Sequence, residues 1–156
     1  RTPILIGAGD VTDMTTPPTE ARSPYDLIAE AGRRALADCG APSLAQSIDT
    51  IAMLRLFADT SHRFATKLGA SANPPRSVAQ RIGVSPAREI YTWNGGNMPQ
   101  YLVNWFSEEI AGGLFRRPGI SPEYDLVPIL QGQLLDGPPH FPVSQQSYFH
   151  KISNFA

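Results

Sequence analysis

The chain has a single cysteine, Cys39, among its 156 residues. This scarcity excludes an internal disulfide framework and a multi-cysteine zinc site. The three histidines, His62, His140 and His150, lack the short spacings typical of metal ligands, so we expect no metal. Charged residues make up only 17% of the chain and the formal net charge is −1, which argues against a nucleic-acid partner.

Long apolar runs are also lacking. No stretch of about 18 apolar residues is present, so the sequence predicts no membrane span and no membrane partner. The first residues, Arg1 to Ile4, contain no apolar secretory core, and a cytoplasmic location is the expectation. The length is sufficient for one domain with its own hydrophobic core.

The first part of the chain predicts a strand followed by a helix. Pro3 to Asp10 is a short apolar run that ends in glycines, as buried strands do, and the Thr- and Pro-rich stretch from Val11 to Arg22 predicts a surface loop. Ser23 followed by Pro24 predicts a helix start, with Ser23 as N-cap. Apolar residues then recur at helical spacing up to Cys39, and Gly40 ends the helix. A cysteine in that last turn is typical of a core residue rather than a nucleophile.

The same order occurs twice more. Strands are predicted from Ser47 to Phe57 and from Ala87 to Trp93, and a helix capped by Asn73 lies between them. A third helix, with Asn97 as its predicted N-cap, follows and ends at Gly112 and Gly113. The βαβαβα order predicts an α/β fold with a mainly parallel sheet and flanking helices.

The character of the sequence changes after Gly113. Prolines recur at positions 118, 122, 128, 138, 139 and 142, and helical periodicity is lost. We therefore expect an α/β domain over residues 1–113 and an irregular, Pro-rich extended tail of unknown role over residues 114–156.

The segment from Tyr91 to Gln100 is the most informative, because it joins a strand to a helix through Asn94, Gly95, Gly96 and Asn97. Such a turn presents backbone N–H groups at the positive end of a helix dipole, which suits a developing oxyanion or a phosphate. An ordinary β-to-α connection, in which glycine and asparagine only satisfy backbone geometry, is the structural alternative.

The order of these pieces resembles the N-terminal half of the thiolase superfamily, over about residues 1–112. The opening Arg1-Thr2-Pro3, the helix from Asp26 to Gly40, the strand Ile48 to Ile51 and the helix that begins Asn73-Pro74-Pro75-Arg76 carry the resemblance. It is strongest to the branch related to sterol carrier protein thiolases, often described as acetyl-CoA acetyltransferases. The resemblance implies an acyltransferase that takes an acyl-CoA thioester as substrate and has no permanently bound cofactor.

Matching the turn to the thiolase Cys-Gly-Ser-Gly motif puts Asn94 where the nucleophilic cysteine belongs. Because an amide nitrogen is delocalised, Asn94 cannot form the usual acyl-enzyme, but it can hydrogen-bond a thioester carbonyl or an enolate. The resemblance implies that Gly95, Gly96 and Asn97 bind the thioester. His62 is the only histidine inside the matching region and is the second candidate catalytic residue. The histidine and cysteine of a second thiolase half are not recognisable.

Two further functions remain open. One is a non-catalytic module that binds CoA or a protein partner; the other is a thiolase-like aldolase acting on CoA esters, in which Tyr91, Trp93 or Tyr101 lines the site. A half-thiolase would expose sheet edges and apolar helix faces, so we expect a homo-oligomer, such as a dimer, or a complementary subunit. Thiolases dimerise through the strand that corresponds here to Ala87 to Trp93.

Overall fold

The computed structural model describes residues 3–17, 19–112, 126–133 and 143–152, the last two ranges as backbone only. The elements in these ranges are β1 (Pro3–Asp13), α1 (Pro24–Asp38), β2 (Thr50–Met53), α2 (Pro74–Ile82), β3 (Arg88–Tyr91), α3 (Met98–Ala111), β4 (Leu126–Gln133) and β5 (Val143–Ile152). Short 3₁₀ helices occupy Pro42–Ser47, Phe57–Asp59 and His62–Phe64. The predicted βαβαβα order over the first 112 residues is confirmed.

The described strands form one sheet in the order β1-β5-β4-β2-β3. β2 pairs in parallel with β3 and with β4, whereas β5 is antiparallel to both β4 and β1. It follows that β1, β2, β3 and β4 all run in the same direction and that β5 alone is reversed. The sheet is therefore mainly parallel in strand direction, as predicted, but β1 reaches the parallel strands only through β5.

Two strands, β4 and β5, lie within the segment 114–156 that was expected to be irregular. The remaining residues of the segment, apart from these strands, lie outside the described residues. The sequence carries only a brief strand or helix signal, at Leu126 to Leu130, because strand formation depends more on neighbouring strands than on intrinsic preference.

The local helix signals are confirmed with one exception. The Ser23 hydroxyl accepts a hydrogen bond from the Asp26 amide at 3.2 Å, and the Asn73 side chain accepts one from the Arg76 amide at 3.2 Å. Gly83 ends α2 with a φ of 84°, a left-handed conformation that favours glycine. Asn97 precedes α3 but makes no side-chain capping bond, so the predicted cap is wrong in this respect.

The helices lie on both faces of the sheet. Alternate residues of a strand point to opposite faces. Ile51 and Met53 of β2 pack in a core cluster with α1 and α2, whereas Ala52 packs in a separate cluster with α3. The two clusters place α1 and α2 on one face and α3 on the other.

β1 is three residues longer than predicted and packs very closely on α1. Val11, expected in a loop, is buried against Leu27 and Ala31. A Cβ atom built at Gly9 would lie 2.3 Å from the Ala31 carbonyl oxygen, and one at Gly7 would lie 2.4 Å from the Ala35 carbonyl oxygen. Only glycine allows this approach of strand and helix.

Candidate functional site

The candidate site lies at the carboxyl ends of β2 and β3. Met53 and Tyr91, the last residues of the two strands, are register partners. The Thr92 amide donates to the Met53 carbonyl oxygen at 3.0 Å, which extends the pairing by one more step. The loop that leads from β2 to α2 and the turn that leads from β3 to α3 therefore leave the sheet side by side, where parallel sheets place their ligands.

The turn between β3 and α3 is exposed throughout Asn94, Gly95, Gly96 and Asn97. The Met98 amide donates to the Gly95 carbonyl oxygen at 3.1 Å and closes the turn. Within the described ranges, no residue accepts a hydrogen bond from the backbone N–H groups of these four residues, and none contacts the Asn94 amide through a hydrogen bond. These donors are available to a ligand.

Helix α3 fixes the position of the turn. Its buried stripe recurs every four residues and consists of Met98, Leu102, Phe106 and Ile110. This stripe packs on Ala52 and Leu54, at and just beyond the end of β2. The first turn of α3, with Pro99 in it, follows the four exposed residues directly, so the positive end of the helix dipole faces the turn.

His62 lies on the same edge of the sheet, in the loop after β2, and its side chain is exposed. It lines a cleft of about 530 Å³ together with the polar residues Arg55, Asp59, Thr60, Ser61, Ser71 and Tyr91. Asn94 to Asn97 are not among the residues that line this cleft. The structure thus places both candidate catalytic residues at one sheet edge but does not join them in one cleft.

Tyr91 contacts three residues at or beside the cleft, Arg55, Leu56 and Asp59. Its hydroxyl accepts a hydrogen bond from the Leu56 amide at 3.0 Å and donates one to Asp59. Burial raises the pKa of this hydroxyl above its ordinary value, and the hydrogen bond to Asp59 raises the pKa further. The Arg55 guanidinium lies 5.6 Å from the centre of the Tyr91 ring, a cation–π distance.

Solved structures of similar proteins show which fold the chain shares. No family model matches the chain, and no curated protein matches it. A solved structure of a monomeric SCP2-thiolase like protein type 1 from Mycobacterium smegmatis is 31% identical over 86% of this chain and 24% of that one, with a TM-score of 0.64. The chain has a thiolase-like fold. The sequence resemblance to the thiolase superfamily is confirmed.

Two further solved structures share this thiolase-like fold at low identity. The 3-oxoacyl-[acyl-carrier-protein] synthase III from Aquifex aeolicus VF5 is 10% identical over 97% of this chain and 54% of that one, with a TM-score of 0.65. The corresponding enzyme from Pseudomonas aeruginosa PAO1 is 15% identical over 99% and 53% of the two chains, with a TM-score of 0.60. The chain thus spans a quarter to a half of the length of these relatives.

Cys39 occupies a different end of the thiolase-like fold. It follows the last residue of α1, is half-buried, and its thiol donates to the Leu36 carbonyl oxygen at 2.8 Å. Because the chain continues from there to the start of β2, Cys39 lies toward the amino ends of the parallel strands, opposite the Asn94 turn. This placement agrees with the expectation that Cys39 is structural.

The described residues contain no group of three or more His, Cys, Asp or Glu side chains placed to hold a metal ion. No helix within the described ranges has the length and hydropathy needed to cross a membrane.

Arg55 and Asp59 line the cleft but were not among the residues predicted from the sequence, and Tyr91 was predicted only under the aldolase alternative. Arg55 and Asp59 lie two and six residues beyond the end of β2, where a parallel sheet places ligand contacts. That position is a signal that could have identified them. Trp93 and Tyr101 are exposed, by 65% and 48%, so they do not belong to the core.

Proposed function

We propose that this chain is the thioester-binding part of a thiolase-like acyltransferase that acts on acyl-CoA. The observation that carries the proposal is the exposed turn from Asn94 to Asn97, whose N–H groups have no acceptor within the described ranges and which leads directly into α3. The thiolase-like fold shared with the SCP2-thiolase like protein supports it. The sequence resemblance to thiolases puts Asn94 at the position of their nucleophilic cysteine.

In this proposal the turn binds the thioester carbonyl without covalent chemistry. The Asn94 side-chain amide and the N–H groups of Gly95, Gly96 and Asn97 donate hydrogen bonds to the oxygen, which gains negative charge as an enolate or a tetrahedral intermediate forms. His62 stays the proposed proton donor or acceptor because it lies on the same sheet edge, although it lines the neighbouring cleft and not the turn itself. Asn94 forms no acyl-enzyme, since an amide is not a nucleophile.

Binding of acetyl-CoA by calorimetry tests the proposal. The Asn94→Ala variant is expected to bind more weakly by roughly 0.5–1.5 kcal/mol, the value of one hydrogen bond. Asn104→Ala is the matched control, because Asn104 is also exposed and lies on α3, where it accepts a hydrogen bond from Gln100. Equal affinities for the wild type and Asn94→Ala, or equal losses in both variants, would refute the assignment of Asn94.

A non-catalytic module is the second candidate, and the exposure of Trp93 beside the turn favours it. An exposed tryptophan two residues beyond the edge strand β3 suits a partner surface, whether a second copy of the chain or a complementary subunit. Binding of acetyl-CoA without turnover of any thioester would support this module. Release of a ketone or aldehyde from a β-hydroxyacyl-CoA would instead support the aldolase function.

A further inference from the structure

The cleft at the end of β2 is lined by one positively and one negatively charged side chain that are not paired with each other within the described residues. Arg55 and Asp59 both line it, yet no ion pair joins them within the described residues. Each is instead held by Tyr91: Arg55 lies over the ring and Asp59 accepts from the hydroxyl. Tyr91 therefore contacts both the cation and the anion that line the cleft.

Small side chains leave the rest of the cleft open. Ala58, Ala65 and Ala72 line it with side chains too small to fill a volume of about 530 Å³. The Thr60 and Ser61 hydroxyls line it as well, although both already bond to nearby backbone groups. The volume of this cleft lies within the range that is typical of small-molecule sites.

We propose that this cleft binds a small molecule that carries an oxyanion and, a few bonds away, a hydroxyl group. The guanidinium of Arg55 holds the oxyanion, because its planar fork fits a carboxylate or a phosphate. The Asp59 carboxylate accepts from the ligand hydroxyl with the oxygen that Tyr91 leaves open. This inference does not rest on thioester binding at Asn94, since the turn does not line the cleft.

Two-dimensional NMR titration of the chain tests this with three probes. 3-Hydroxybutyrate offers a carboxylate and a hydroxyl, glycerol 3-phosphate offers a phosphate and a hydroxyl, and butyrate lacks the hydroxyl. We expect saturable shifts at the amides around Arg55 and Asp59, with 3-hydroxybutyrate bound about three- to tenfold more tightly than butyrate. The tighter of the two hydroxylated probes identifies the oxyanion. Absence of saturation with every probe would overturn the proposal.

Four variants test whether the probes bind in the cleft and which residues contact them. Arg55→Gln is expected to weaken the hydroxylated probes about tenfold or more. Arg63→Gln is the control, because Arg63 is exposed on the 3₁₀ helix beside His62 and does not line the cleft. Asp59→Asn keeps an acceptor for Tyr91 but is expected to reduce the preference for 3-hydroxybutyrate over butyrate. Ala72→Leu narrows the cleft and is expected to weaken every probe.

Unchanged affinity in Arg55→Gln, or an equal loss in Arg63→Gln, would show that the cleft is not the binding site. An unchanged preference in Asp59→Asn would remove Asp59 from the proposal. Because Arg55 and Asp59 are exposed, both variants are expected to fold. Matching one-dimensional spectra of the free proteins check this.

Discussion

Substitution of Gly9 by alanine tests the close packing of β1 on α1. The new Cβ would lie 2.3 Å from the Ala31 carbonyl oxygen and 2.6 Å from the Ala35 nitrogen. Both are backbone atoms of a helix and cannot rotate away, so strand and helix must separate. Overpacking of this kind costs about 1–3 kcal/mol, and the two backbone contacts favour the upper end of that range.

Gly96→Ala is the matched control. A Cβ atom added at Gly96 would meet no other atom within 4 Å, and Gly96 has no positive φ. The same chemical change is therefore expected to alter the free energy of unfolding by less than about 0.5 kcal/mol. Urea unfolding followed by circular dichroism measures both variants. A Gly9→Ala variant as stable as the wild type would show that β1 does not approach α1 as described, and equal losses in the two variants would point to a general effect of alanine.

Two further predictions concern Tyr91 and Asp26. Tyr91→Phe removes the acceptor of the Leu56 amide, and because Leu56 is only 1% exposed we expect a loss of about 1–3 kcal/mol in urea unfolding; a loss below about 0.5 kcal/mol would mean that water replaces the hydroxyl. The hydrogen bond from the Ser23 hydroxyl is the main cause that lowers the pKa of Asp26 below its ordinary value, and the hydrogen bond from Arg81 lowers it further. Since the folded-state pKa is the lower one, this stabilisation is present above the unfolded pKa of about 4 and is lost as the pH falls through the folded value. Across this pH range the free energy of unfolding is expected to depend less on pH in Asp26→Asn than in the wild type. An unchanged pH dependence would show that Asp26 is not the group responsible.

The parts of the fold that the sequence predicts correctly depend on neighbours in the chain. Ser23 and Asn73 each bond to an amide three residues further on, so the capping residue and its partner occur in one short motif. β5 is different, because its register partners lie in β1 and β4. Its pairing is set by distant residues and leaves no local signal.

One part of the candidate site can likewise be predicted from local sequence, whereas the other depends on contacts between distant residues. The turn from Asn94 to Asn97 can be predicted from the sequence, because two glycines between a strand and a helix indicate a tight turn. The cleft depends on the Tyr91 hydroxyl, which bonds to Asp59 and Leu56 across 32 and 35 residues of sequence. Such contacts arise from the register of β2 on β3, and no spacing rule in the sequence predicts them.

The reversed strand β5 has a consequence for biosynthesis. Pro3 pairs with Ile152, so β1 meets its partner in the sheet only after the segment from Val143 to Ile152 has been made. A nascent polypeptide on the ribosome therefore carries β1 with its hydrogen-bonding edge open until that segment emerges. Any fragment that stops before Val143 leaves that edge free to join strands of other molecules.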